Sequence, residues 1–122
     1  MKEIILFSNN KNKIIEISNF FVEKSIKILD LNNFKKIKSP NETGKTFEEN
    51  AKIKSLYGYN IFKKICFADD SGISIEAMGG GPGVNSKNFL QKEKNPKKTL
   101  QLILSIVKDI NNFNAFFQTS IC

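Results

Sequence analysis

The run Glu3-Ile4-Ile5-Leu6-Phe7-Ser8-Asn9-Asn10-Lys11-Asn12-Lys13-Ile14-Ile15-Glu16-Ile17-Ser18-Asn19-Phe20-Phe21 decides the fold class. Its first five residues are a short apolar stretch that reads as a buried strand. Ser8-Asn9-Asn10 breaks that strand. Asn10 is a fair N-cap, and Ile14, Ile17 and Phe21 then share one stripe, which predicts a helix over about residues 11–23. A buried strand feeding a helix through a polar turn is the opening unit of an α/β protein.

The rest of the chain continues the alternation. Residues 25–31 alternate through Ile26 and Ile28 and predict a second strand. Residues 32–46 read as a polar loop with Pro40 and Gly44 as breakers. Thr43 or Thr46 caps a second helix, roughly 47–60. Residues 65–68 and 73–77 read as strands on either side of a turn over 69–72. Asn95-Pro96 opens a third helix with proline at its first position. Leu100, Ile103, Leu104 and Val107 are its expected buried stripe, and Asn111-Asn112 ends it. Phe113, Ala115, Phe117, Thr119 and Ile121 then alternate with their neighbours, the mark of a half-buried strand. No repeat or linker interrupts the pattern, and residues 1–122 read as a single domain.

Composition narrows the chemistry. The net charge is +7 over 122 residues, and every basic residue is Lys, with no Arg and no His. A positive surplus suits polyanions, but bidentate base readout favours Arg. Charge alone leaves phosphorylated small molecules, acidic membrane surfaces and nucleic acid as partner classes, the last disfavoured by the absence of Arg. The absence of His removes zinc sites and Ser-His or Cys-His pairs from consideration. Cys66 and Cys122 match no metal spacing and no disulfide framework. A metal, if used, is hard and oxygen-bound, with Mg²⁺ the first choice. No apolar run has membrane-spanning length and no signal-peptide pattern opens the chain, so the expectation is a cytoplasmic protein without membrane contact.

Four stretches carry residues suited to that chemistry. Ser8-Asn9-Asn10-Lys11-Asn12-Lys13 sits at a helix N-terminus, where lysines are mildly unfavourable unless an anion is bound; it is a plain polar turn or a phosphate site. In Glu42-Thr43-Gly44-Lys45-Thr46-Phe47-Glu48-Glu49-Asn50-Ala51-Lys52-Ile53-Lys54, Thr46 and Glu49 have capping-box spacing. Phe47, Asn50, Ala51 and Lys54 fall on one helix face, where Lys54 either snorkels to water or meets a phosphate. Asp69-Asp70-Ser71-Gly72 is either an Asx turn or a carboxylate pair for a metal. In extended backbone those two side chains face opposite ways. Gly79-Gly80-Gly81-Pro82-Gly83 permits close backbone approach and a nest of N–H groups, but lacks the Lys-Ser/Thr ending of a P-loop.

Taken in this order, the four stretches resemble the blocks of the inosine triphosphate pyrophosphatase family over nearly the whole chain. The resemblance implies an α/β fold with a mixed, curved β-sheet flanked by helices. It implies hydrolysis of non-standard purine nucleoside triphosphates (ITP, dITP, XTP) to monophosphate and pyrophosphate with Mg²⁺, by a homodimer. Carried over by position, Ser8, Asn10, Lys13 and Lys54 hold the triphosphate and Ser71 contacts the nucleotide. Glu42 and Asp70 bind Mg²⁺ with Asp69 close by, and Asp70 is the base that activates water.

The sequence also departs from the family. Ser86-Lys87-Asn88 stands where Ser-Ala-Arg is common, and Asn9 replaces a frequent glycine. Family members continue beyond the segment ending at Cys122, with a Gly-Phe-Gly-Tyr-Asp-Pro block and a Ser-His-Arg block that help form the purine pocket. The expectation is thus a chain lacking the C-terminal part. The alternative to the enzyme is an inactive remnant that retains only phosphate and Mg²⁺ binding.

Overall fold

The structure, a computed structural model, describes residues 2–92 and 94–122. The chain divides into two compact units, Met1–Asp69 with Ser120–Cys122, and Asp70–Thr119.

The first unit is built on a parallel sheet. Strands β1 (Lys2–Leu6), β2 (Ile26–Asp30) and β3 (Cys66–Phe67) lie in the order β2-β1-β3. In register, Lys2 to Leu6 face Ile26 to Asp30 on one side, and Ile5 and Leu6 face Cys66 and Phe67 on the other. A central parallel strand is covered on both faces, which is why Ile5, Leu6 and Phe7 form an unbroken buried run. Helix α1 (Lys11–Phe21) follows β1, and helix α2 (Phe47–Phe62) precedes β3. The expected face of α2 is the observed one: Phe47, Asn50 and Ala51 are buried, joined by Ser55 and Gly58. Gly58 is what lets α2 approach β1 and β3 closely. A Cβ there would stand 2.4 Å from Cys66 Sγ and 2.7 Å from Phe7 Cδ2. Tyr57 meets the edge of the Phe7 ring at 5.7 Å.

The second unit takes up β4 (Asp69–Ile75) from its second residue, then α3 (Ser86–Lys92), α4 (Pro96–Ile110) and β5 (Ala115–Ile121) up to Thr119. The Ser71 and Thr119 hydroxyls lie 2.9 Å apart, and the Glu76 N–H donates to the Asn114 carbonyl at 3.0 Å. Partner numbers fall as those of β4 rise, so β4 and β5 are antiparallel.

Three expectations need correction, and one helix was not expected. Residues 69–72 are not a turn but the start of β4, because cross-strand pairing with β5 outweighs the local turn preference of Asp-Ser-Gly. The buried side of α4 is set by Thr99 and Val107, whereas Leu100 and Leu104 are exposed, Leu100 at 60%. A broad apolar stripe does not say which of its edges is covered. Strand β5 is not half-buried: Ala115 to Thr119 are exposed on both faces, Phe117 at 83%. Helix α3, unforeseen in the sequence, begins at the buried Ser86, whose hydroxyl donates to the Gly83 carbonyl at 2.6 Å and accepts the Ile73 N–H at 2.9 Å.

Two outcomes test the packing of the first unit. Gly58→Ala gains helix propensity but is driven into Cys66 and Phe7, so a net loss of about 1–2 kcal/mol is expected as a lowered urea midpoint; a raised midpoint would contradict the close approach. Burial pushes the Cys66 thiol up to about 11, while Cys122 is exposed. Since the thiolate is the reactive form, a thiol reagent at pH 8 should label Cys122 rapidly and Cys66 slowly, with the two rates converging in urea. Equal rates in buffer would mean that β3 is not shielded.

Candidate functional site

The sheet order of the first unit places a topological switch point. From β1 the chain crosses through α1 to β2 on one side, while β3 lies on the other. The carboxyl ends of β1 and β3 are thus neighbours where the winding changes direction, the position at which open parallel sheets bind ligands. The Ser8-to-Lys13 turn follows β1, and Asp69 stands two residues beyond β3.

That turn is built by its own side chains. Ser8 Oγ accepts the Asn10 N–H at 3.1 Å, and Asn10 Oδ1 accepts the N–H groups of Asn12 and Lys13 at 3.1 and 3.3 Å. Asn10 is therefore the helix cap foreseen in the sequence. With Oδ1 used in the cap, the polar group it can offer an anion is its amide donor. Asn9 needs no left-handed backbone, since the non-glycine residues with positive φ among those described are Ser25, Lys63 and Asn111. An asparagine is thus accommodated at position 9. Lys13 extends from the first turn of α1 and forms an ion pair with Asp69. Asp69 is only 6% exposed. A buried carboxylate is costly unless paired with a cation, so this lysine gives Asp69 its reason to be tolerated there.

A second lysine–carboxylate pair is carried by α2. Thr46 caps the helix, accepting the Glu49 N–H at 3.1 Å, and Glu49 reaches back to the Lys45 N–H at 2.6 Å. The capping-box expectation holds with the return bond one residue earlier than usual. One turn further along, Asn50 turns its amide to the preceding loop. Its Oδ1 accepts the Gly44 N–H at 2.7 Å and its Nδ2 donates to the Gly44 carbonyl at 3.3 Å. From the next turn, Lys54 Nζ meets Glu42 Oε1 at 2.8 Å. Lys54 thus meets a carboxylate on its buried helix face instead of merely snorkelling to water.

Asp70 and Ser71 are the first two residues of the second unit. Both lie in the extended backbone of β4, half-buried, with Ser71 beside Thr119. The glycine stretch does not form an anion nest. The N–H groups of Gly79, Gly80 and Gly81 are taken by the carbonyls of Glu76, Ile75 and Met78. Gly79, Gly80 and Gly83 instead supply left-handed backbone, with φ of 65°, 86° and 56°. Among the described residues, no three His, Cys, Asp or Glu side chains gather into a metal cage, and no helix is long and apolar enough to cross a membrane.

A family model described as the Ham1 family matches residues 4–122. The chain belongs to the Ham1 family. Among its Ham1 relatives are the dITP/XTP pyrophosphatase of Flavobacterium psychrophilum, 38% identical over 98% of this chain and 63% of that protein, and that of Leptospira interrogans, 37% identical over 98% and 61%. Among solved structures, a HAM1 protein from Coxiella burnetii superimposes with a TM-score of 0.86 at 31% identity, covering 99% of this chain and 62% of that one. A nucleoside-triphosphatase, dITP/XTP pyrophosphatase, from Mycobacterium abscessus does so with a TM-score of 0.79 at 29% identity, over 98% and 63%. The chain spans about three-fifths of the length of the relatives it matches. Family and mixed α/β fold are those that the order of motifs implied.

Of the residues singled out in the sequence, Ser8, Asn10 and Lys13 share one turn, Lys13 meets Asp69, and Lys54 meets Glu42. What the sequence reading missed is the hydrogen-bonded junction of Asn50 with Gly44. A polar residue beside Phe47 and Ala51 on one helix face, six residues after a glycine, was its only signal. The ion pair at Asp69 is open to test by a double-mutant cycle with Lys13→Met and Asp69→Asn. Lys13→Met takes a cation from a buried carboxylate and should cost about 1.5–3 kcal/mol in urea unfolding, with much of that loss absent when Asp69→Asn is already in place. Strictly additive effects would mean that the pair contributes nothing.

Proposed function

We propose that this chain hydrolyses non-standard purine nucleoside triphosphates of the inosine and xanthosine type (ITP, dITP, XTP) to monophosphate and pyrophosphate, with Mg²⁺. The observation that carries the reading is the Ser8-to-Lys13 turn, with Lys13 on a buried aspartate, at the carboxyl end of the sheet of a Ham1-family chain. The names of its relatives, which describe dITP/XTP pyrophosphatases, support the substrate class.

The donor chemistry fits the metal. Glu42, Asp69 and Asp70 offer hard carboxylate oxygens, and Mg²⁺ is commonly held by one or two carboxylates together with waters and substrate phosphates instead of a full protein cage. Glu42 and Asp70 would hold the ion, with Asp69 beside Lys13. When bound, the ion would neutralise charge that builds on the leaving pyrophosphate. Ser8, Asn10 and Lys13 would bind the triphosphate through hydroxyl, amide and ammonium donors, and Lys54 would exchange Glu42 for phosphate. Ser71 would contact the nucleotide. Asp70 would take a proton from the attacking water as the bond between the α- and β-phosphates breaks, leaving pyrophosphate and monophosphate. The resemblance also supports a homodimer working in the cytoplasm.

The test is pyrophosphate release from ITP, dITP, XTP and ATP with and without Mg²⁺. Turnover of the first three that needs Mg²⁺ and is abolished in Asp70→Asn, with folding intact, is the expected result. Binding of triphosphate without turnover would favour the phosphate-binding remnant, and turnover that survives Asp70→Asn would remove that residue from its role.

A further inference from the structure

The pair Glu42–Lys54 depends on a connection that neither residue makes itself. Glu42 lies in an irregular loop with an exposed side chain, and such a segment does not hold one carboxylate in place unaided. The loop is anchored two residues later at Gly44. There the Asn50 side chain, 3% exposed, pairs with both the N–H and the carbonyl of the Gly44 backbone, at 2.7 and 3.3 Å. An amide carries a donor and an acceptor side by side, so it can pair with both backbone groups without charge. The approach is tight: a Cβ at Gly44 would stand 2.6 Å from Asn50 Oδ1 and 2.7 Å from Glu49 Cβ. Asn50 and Lys54 are four residues apart on α2 and so project from the same helix face. The loop is thus fixed to α2 at Asn50, and one turn further along the same helix Lys54 reaches Glu42 at 2.8 Å.

We infer that Asn50 is the positioning residue for Glu42: its amide fixes the Gly44 backbone on α2, and this holds the Glu42 carboxylate where Lys54, and in turn a phosphate-bound Mg²⁺, meets it. This rests on the proposed phosphate and metal chemistry. Asn50 touches neither ligand in this account and acts through the loop. Gly44 is required for the same reason, since any side chain there would displace the amide that holds it.

Two variants approach the junction from opposite sides. Asn50→Ala removes the amide from the helix, and Gly44→Ala forces the loop away while leaving the buried face of α2 unchanged. The probe is inorganic tripolyphosphate, titrated by calorimetry with and without Mg²⁺, and amide hydrogen exchange reports the loop separately. In the wild-type chain, Mg²⁺ should tighten tripolyphosphate binding and the Gly44 amide should be protected. In both variants the Gly44 amide should lose protection while amides in the middle of α2 keep theirs. The Mg²⁺-dependent gain in affinity should fall about tenfold or more, the usual cost of removing a residue that orients a metal ligand. Binding without Mg²⁺, which draws on the first turn of α1 and on Lys54, none of them removed by either variant, should change little. A merely structural role would lower both affinities together or melt α2. If Asn50→Ala does not fold, Gly44→Ala decides alone. A wild-type gain that both folded variants retain overturns the inference and leaves the proposed function standing. A wild-type chain that does not bind tripolyphosphate at all sinks the phosphate reading itself, and the positioning role with it.

Discussion

Parallel pairing of β1 with a strand on each side is the constraint from which the first unit follows. Ile5 and Leu6 are bonded to β2 on one edge and to β3 on the other, and both are fully buried. Because the two neighbours are reached by different crossovers, the ends of β1 and β3 open side by side, and the Ser8-to-Lys13 turn and Asp69 are delivered there. Helix α2 can close against this pair of strands only because position 58 has no side chain. Were β1 an edge strand, one row of its backbone N–H and C=O groups would lack strand partners, and the turn after it would adjoin the end of one strand instead of two.

The charge arrangement in that unit has a consistent logic. Two lysines on helices each meet a carboxylate, Lys13 on Asp69 and Lys54 on Glu42. A cluster of like charges without partners would repel, and a buried carboxylate without a cation would be costly. Pairing resolves both and keeps the residues ordered. On the proposed reading, a magnesium-bound polyphosphate brings charges of both signs and offers each member of a pair a new partner. Lysine suits such an exchange better than arginine, because its ammonium is a compact point charge on a flexible stem and not a rigid fork.

The ends of the chain illustrate how far local pattern carries. Helix α4 begins at Pro96 and ends at Ile110, as its cap, proline and terminal asparagines indicate, because each of those signals acts within a few residues. Its orientation was misread, with Thr99 inward and Leu100 outward, because burial depends on what packs against the helix. The same holds for β5. Alternation marks a strand with two kinds of face, but exposure of Phe116 and Phe117 depends on whether anything covers them. The Asp69-to-Gly72 segment failed in the opposite sense: a composition that favours a turn became strand because a partner strand supplied its hydrogen bonds.

By itself, the sequence determined the α/β order of elements, the helix starts at Asn10 and Asn95, a choice of Thr43 or Thr46 for the cap of α2, the buried centre at Ile5 to Phe7, and the family, through four motifs in sequence order. These are properties of periodicity, capping chemistry and spacing, all written within short windows. Only tertiary structure decided that Lys13 meets Asp69 across 56 residues, that Glu42 meets Lys54, that Asn50 reaches back to Gly44, and that Gly79, Gly80 and Gly81 spend their N–H groups on the carbonyls of Glu76, Ile75 and Met78. Those facts depend on which backbone segments approach one another, and side-chain reach through space is not encoded in any one window of the chain.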